Sequence, residues 1–329
     1  MSGGVLVIQP LPGIGDMVWH LPHLHALAAA VPEGKVWVLT KPRSQADRLL
    51  AADPAVAGVL WLERNPGRHD GLRGLLRLAR ELRARRFREA WVLHTSARYA
   101  LAARLAGIPR RFGFGFGAQR LWLSGGARLG PAERRLHPLE KADRLLASAG
   151  IERQEDEPTL PVGEAARAAA ARRLAGLPRP LVALGVGTSE PYKQWGAERF
   201  VELAARLGGR AGAFVVVGGP AEASLAARVR AGIEARGGTA RAVHDAPIDQ
   251  VAALLEACDL YVGNDTGVLN VAAAVGTHAV GLFGASPPLR HSRRIHAVLP
   301  DPSDGGMSAI APGAVARTIE EKGWLQARA

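Results

Sequence analysis

The chain has 329 residues, 48% of them hydrophobic and 22% charged, a single cysteine and a formal net charge of +12. That length and composition suggest about two ordinary globular domains. The lone Cys258 excludes an internal disulfide and points to a reducing, cytosolic setting; no apolar run approaches the roughly 20 residues that span a bilayer, and no basic n-region marks a signal peptide. The charge is local. Residues 63–153 carry nineteen Arg and one Lys against eight acidic residues, a net of +12, so the remainder is neutral. Such an asymmetry can steer an anionic partner. A solvated Arg-rich face is the alternative, because arginine so far outnumbers the five lysines.

In chain order, residues 4–8 are an apolar run that predicts a strand buried on both faces. Pro10-Leu-Pro-Gly-Ile-Gly-Asp16 is a Gly/Pro loop. Residues 17–30 carry helical spacing through Val18, Leu21, Leu24, Leu27 and Ala28, with a kink or restart expected at Pro22. Residues 36–40 predict a strand, 44–52 a helix and 56–62 a third strand. Residues 70–86 predict an amphipathic helix, with Leu72, Leu75, Leu76, Ala79 and Leu82 on one face and Arg73, Arg77 and Arg80 on the other. A strand at 89–93 and a helix at 99–106 follow. Phe112-Gly-Phe-Gly-Phe-Gly117 reads as an aromatic–glycine loop near Arg110, Arg111 and Arg120, and 137–149 as a helix approaching a boundary.

Residues 152–161 are acidic and carry proline, which predicts a linker. Helices are expected at 164–175, 197–207, 225–236, 248–257 and 313–323, with Trp324 as a packing anchor. Strands are expected at 180–185, 213–217, 259–262 and 279–283. Asn264-Asp265-Thr266-Gly267 reads as a turn of cap-forming residues ahead of an Ala-rich helix at 268–275. Strands and helices alternate in both halves, which predicts two doubly wound parallel α/β domains.

Three loops then follow a strand and precede a helix: 10–16, 186–195 and 263–267. In open α/β sheets ligands collect at such carboxyl edges, and two such domains place the ligand in the cleft between them. The N–H groups at 266–268 would favour an anion, and the Asp265 carboxylate beside them suits a sugar or ribose hydroxyl. Asp265 and Thr266 as plain helix caps are the alternative. No P-loop, Gly-x-Ser-x-Gly, paired-Cys or His-Glu-x-x-His pattern occurs, and no Asp-x-Asp that would clamp a nucleotide-bound metal. Gly13-Ile14-Gly15 is only part of a dinucleotide fingerprint. No recognition motif or interleaved aromatic–basic repeat points to nucleic acid.

Together these motifs resemble glycosyltransferase family 9, the ADP-heptose heptosyltransferases. The resemblance rests on Leu11-Pro-Gly-Ile-Gly-Asp16 with Pro22, Lys193-Gln-Trp195 with Phe200, and Val217-Gly-Gly-Pro220. Asn264-Asp-Thr-Gly267 through Ala274, Phe283-Gly284 with Pro287, and Arg98 with Ala106-Gly-Ile-Pro-Arg110 extend it over nearly the whole chain. It implies a GT-B fold of two Rossmann-like domains facing a central cleft. Residues 1–157 would bind the acceptor and 158–329 the nucleotide-sugar donor. It implies inverting transfer of heptose from an ADP-sugar, without a metal or other cofactor, usually to the lipopolysaccharide inner core.

On that resemblance Asp16 matches the base that takes the acceptor proton, with a helix N-cap as its alternative. Lys193 matches the lysine that neutralises the donor phosphates. Thr188 and Ser189 match phosphate-binding hydroxyls, with ordinary loop hydrogen bonding as the alternative. Glu222 lies where the family binds the nucleoside. Asp265, Thr266, Gly267 and Asn270 complete the expected donor set, and Gly15, Arg98 and Arg120 the acceptor set. Trp195 reads as packing. Asn270 is a departure, since the family usually has His there and Asn adds no charge. The expected protein is a cytoplasmic glycosyltransferase using an ADP-sugar and an anionic glycan or glycolipid acceptor, with peripheral contact at the cytoplasmic face of the inner membrane. A catalytically inactive sugar-nucleotide binder, or a transferase of different donor and acceptor, are the competing readings.

Overall fold

The computed structural model describes residues 3–288 and 292–325. Contacts divide the chain into Met1–Pro158 and Thr159–Ala329. Unit 1 begins with strand β1 (Val5–Ile8), all four residues buried, then helices α1 (Ile14–Trp19) and α2 (Leu21–Ala29). Strand β2 (Val36–Thr40), the short helix α3 (Ala46–Leu49) and strand β3 (Val56–Trp61) follow. Helix α4 (Gly71–Ala84), strand β4 (Glu89–Val92), helix α5 (Ala97–Leu105), strands β5 (Arg110–Gly113) and β6 (Gly125–Gly126), and helix α6 (Pro138–Ala147) complete it.

Unit 2 runs from α7 (Glu164–Leu174) through β7 (Leu181–Gly185), α8 (Ala197–Arg206) and β8 (Ala213–Val217). Helix α9 (Ala223–Glu234), β9 (Ala240–Val243), α10 (Ile248–Glu256) and β10 (Leu260–Asn264) come next. The unit ends with α11 (Gly267–Ala274), β11 (Ala279–Leu282), β12 (Ile295–Val298) and α12 (Pro312–Lys322).

Among the described residues each unit holds one six-stranded sheet, ordered β3-β2-β1-β4-β5-β6 and β12-β11-β10-β7-β8-β9. All pairings are parallel. Counted within each unit, both orders are 3-2-1-4-5-6. The strand order therefore reverses between β1 and β4 in unit 1, and between β7 and β10 in unit 2. At such a switch point adjacent crossovers leave to opposite faces and open a crevice at the carboxyl edge. The central strands are apolar on both faces because helices cover both. In unit 1, Leu6, Ile8 and Val92 pack against Leu75, Leu78, Leu82 and Tyr99. In unit 2, Val182, Leu184, Val216 and Val262 pack with Trp195, Phe200, Val229 and Ile319.

Four differences from the sequence reading have physical causes. The helix expected over 17–30 is two helices, broken at His20; Pro22 lies in the first turn of α2, where a missing N–H costs nothing. Residues 44–52 give only a 3-10 turn, Pro42–Ser44, and the single turn of α3, with Gln45 left-handed between them. Strands β5, β6, β9 and β12 were not expected. They are short, and β9 alternates Ala and Arg, so neighbouring-strand hydrogen bonds define them rather than apolar pattern. On α4 the buried stripe is Gly74, Leu75, Leu78, Ala79 and Leu82, whereas Leu72 and Leu76, assigned to the same face, are 70% and 40% exposed.

Candidate active site

Unit 2 places its polar residues around the β7/β10 switch point. Asn264, expected in a turn, is the last residue of β10 and fully buried. Its amide nitrogen donates to the Gly187 carbonyl at 3.1 Å and lies 3.3 Å from both the Val186 carbonyl and Gln194 Oε1. Its Oδ1 accepts the Trp195 N–H at 3.2 Å. Trp195 is fully buried, donates Nε1–H to the Ile310 carbonyl at 2.8 Å and meets Phe200 edge-on. One buried amide thus fixes both ends of the 186–195 loop.

That loop delivers Lys193, whose Nζ lies 3.2 Å from Asp265 Oδ2. Ser286 Oγ donates to the same oxygen at 2.5 Å. The expected phosphate-neutralising lysine and the expected hydroxyl-binding carboxylate therefore form one ion pair here. Thr266 is the N-cap of α11, yet its side chain makes no cap bond, which leaves its hydroxyl and the adjacent Gly267 N–H at the helix mouth. Asn270 lies in the first turn of α11, half-buried, and its side chain makes no hydrogen bond among the described residues.

Beneath this point lies Tyr261, fully buried, with its hydroxyl beside the Thr266 side chain. Its ring leans across Gly185 and Gly263; a Cβ on either would stand 1.9 or 2.3 Å from that hydroxyl. Those two glycines are there because the ring occupies their side-chain space. Burial holds the phenol above its ordinary range.

The remaining donor candidates are less concentrated. Thr188 Oγ1 donates to the Glu190 carbonyl at 2.8 Å, a local turn bond, and Ser189 is exposed beside it. Glu222 Oε2 accepts the Gly219 N–H at 2.8 Å and stands at the N-cap of α9, which is the helix-start alternative of the sequence reading.

In unit 1, Asp16 is the third residue of α1, after the buried Gly15. Its Oδ2 accepts the Gly13 N–H at 3.0 Å. The His20 ring donates Nδ1–H to the Asp16 carbonyl at 2.6 Å, so its Nε2 carries no proton. Burial, with His23 beside it, pushes the His20 imidazole down to about 3. Burial also raises the Asp16 carboxyl, offset in part by the Gly13 N–H, His137 and Arg43. Asp16 is therefore both a cap and a carboxylate of heightened basicity.

The same carboxyl edge is cationic. His94, just past β4, is pushed down to about 4 by burial and by Lys41, Arg64 and Lys141. Arg98 spends its Nη2 on the carbonyls of His69 and Gly71, both at 2.6 Å, which ties α5 to the start of α4. Arg120 is exposed and lines a cavity of about 920 Å³ with Arg128 and Arg134. Tyr261 and Asn264 were missed as site residues, because nothing local marks a residue whose role is set by contacts 69 or more positions away; His20 was missed although its partner, the Asp16 carbonyl, is only four residues away.

Two parallel-sheet units of one strand order, each with polar groups at its carboxyl edge, define a protein of GT-B architecture. The family model for glycosyltransferase family 9 (heptosyltransferase) matches residues 75–297. Lipopolysaccharide heptosyltransferase 2 of Escherichia coli K12 is 27% identical over 307 residues, covering 88% of this chain and 87% of that protein; the Salmonella typhimurium protein matches equally. The solved E. coli ADP-heptose heptosyltransferase II superposes with a TM-score of 0.75 at 23% identity, over 98% of both chains. A family 9 transferase from Veillonella parvula gives 0.80 at 22% identity, over 98% of this chain and 97% of that one. The chain belongs to glycosyltransferase family 9, and it is a glycosyltransferase.

Proposed function

We propose that this enzyme transfers a heptose, or a related sugar, from an ADP-sugar to an anionic glycan acceptor such as the lipopolysaccharide inner core, with inversion and without a metal. The observation that carries the reading is Asp16: a carboxylate kept basic by burial and held by a Gly-rich turn at the carboxyl edge of its sheet. The acceptor hydroxyl gives its proton to Asp16. Its oxygen forms the new bond at the anomeric carbon as the bond to the diphosphate breaks, and ADP leaves with that electron pair. Lys193, the Thr266 hydroxyl and the N–H groups of α11 take up the charge that gathers on the diphosphate. Asp265 then exchanges its hold on Lys193 for a sugar or ribose hydroxyl. Lys41, Arg64 and Lys141 supply the field for an anionic acceptor. A solved relative supports the donor, since one E. coli heptosyltransferase was solved with ADP-2-deoxy-2-fluoro heptose. The reaction belongs at the cytoplasmic face of the inner membrane.

A thermal-shift series of ADP-, GDP- and UDP-sugars tests the donor, because a ligand that binds only the folded state raises Tm. ADP-heptose is expected to give the largest shift. Asp16→Asn tests the base: turnover should fall on the order of 10²-fold or more with ADP binding retained. Near-parental turnover in that variant removes Asp16 from the mechanism.

A further inference from the structure

Helix α4 has an outer face that the fold does not use. Its inner stripe is buried, while Leu72 and Leu76, one turn apart, stand 70% and 40% exposed. Exposed Arg73, Arg77 and Arg80 run beside them, and among the described residues none of the three makes an ion pair. Glu81, the acidic residue of this helix, is already held by His69 and Arg68. Helix α4 packs on α5, and α5 on the 3-10 turn Gly117–Leu121, where Leu121 is 71% exposed next to Arg120. Three of the five large apolar side chains exposed among the described residues thus belong to one helical layer of unit 1, each beside an arginine.

Arginines alone would suit any polyanion. Leucines placed between unpaired arginines suit a surface that is anionic outside and apolar just beneath. A helix lying flat on a bilayer has that need: leucines enter the acyl boundary while guanidinium groups stay with the lipid phosphates. We propose that the outer face of α4, with Leu121 alongside, docks this protein onto an anionic phospholipid bilayer. Docking through α4 stands whether or not the sugar-transfer reading is correct, because α4 and Leu121 carry none of the residues assigned to that reaction; of those residues only Arg120, next to Leu121, lies alongside this surface.

The test is co-sedimentation of the full chain with vesicles of phosphatidylglycerol and phosphatidylethanolamine, against vesicles of phosphatidylcholine alone. Binding should be confined to the anionic vesicles and weaken as salt rises. A Leu72→Ser, Leu76→Ser double variant and an Arg73→Gln, Arg77→Gln, Arg80→Gln triple variant should each bind roughly tenfold or more weakly, with the parental Tm. Absence of binding to anionic vesicles overturns the proposal. So does binding that both variants retain. Binding that falls in the arginine variant but not the leucine variant, and is competed by duplex DNA, overturns it too, because it marks a general polyanion surface.

Discussion

Asp16 shows how much one residue can be asked to do. Its carboxylate caps the helix that carries it, and the same burial that makes it basic makes it costly in charged form. Burial holds its folded-state pKa above the ordinary 3.8, so the folded state binds more protons than the unfolded one in the window above that value, and stability falls as pH rises through it. Asp16→Asn keeps an acceptor for the Gly13 N–H and removes the buried charge. It should therefore melt at or above the parental Tm at pH 7 while turnover collapses. A lower Tm would mean that the carboxylate stabilises the fold. Asn270 is the complementary case, a half-buried polar side chain beside the proposed donor site with no hydrogen-bond partner among the described residues. Asn270→Ala should raise the donor KM by roughly fivefold to tenfold, the value of a net neutral hydrogen bond of ~1 to 1.4 kcal/mol. Asn270→His should be tolerated. Unchanged KM in both variants would show that this position touches no ligand. The places of Asp16 and Asp265 just past strand ends were legible in the sequence because glycine and cap residues mark where the backbone turns there; Lys193 was singled out by the family resemblance alone. Tyr261 was not, since its role depends on two glycines in different strands.

Among elements, the 186–195 loop depends most on a single contact set. Asn264→Ala leaves the Trp195 N–H and the Gly187 carbonyl without their partners, while the Val186 carbonyl keeps the Gln194 Nε2–H bond. The expected loss is on the order of 2 to 4 kcal/mol in the unfolding of unit 2, with weaker ADP binding as Lys193 loses its placement. Urea unfolding that shifts by less than about 1 kcal/mol would refute this. Helix α2 is tied in a different way. His25 donates from both ring nitrogens, to Asp53 at 2.9 Å and Glu155 at 3.0 Å, and those hydrogen bonds outweigh its burial to hold the imidazole up at about 9. A raised folded pKa stabilises fully below the ordinary value of 6.5, and that stabilisation is lost as pH rises through 9. The Tm advantage of the parent over His25→Gln should be largest near pH 6, where it reflects at most about 3 kcal/mol, and should shrink by pH 9.5. An advantage that grows with pH would overturn the assignment. The central strands and long helices were legible as apolar runs and 3.6-residue periods. The edge strands were not, because a strand of two to four mixed residues exists only once its neighbour offers a ladder.

At the scale of the molecule, charge and chemistry are distributed rather than concentrated. The sequence placed the excess of arginine in one half and set Arg73, Arg77 and Arg80 on the outer face of α4, where they are exposed, but it could not say that Leu72 and Leu76 join them there or which cations rim the sheet edge; that division needed the packing of the sheet and its helices. If the rim serves the acceptor, apparent acceptor affinity should fall as salt rises while ADP-sugar affinity changes less. An uncharged acceptor used equally well at low and high salt would leave the rim without that role. Turnover should also survive EDTA, because Lys193 and the α11 terminus supply the positive charge; loss with rescue by Mg²⁺ would contradict this.

The shared strand order also governs how the chain assembles. In each half the strand made first sits at the centre of the sheet and pairs on one side with the strand made fourth. Val5–Ile8 thus waits for Glu89–Val92, and Leu181–Gly185 for Leu260–Asn264. Such distant parallel pairing is slow to close and leaves apolar edges open meanwhile. All six strands of the first half are nonetheless synthesised before Thr159 emerges. During translation the cationic half completes its sheet while the other is still being made, so the two slow searches run in succession and the open edges of one need never meet those of the other.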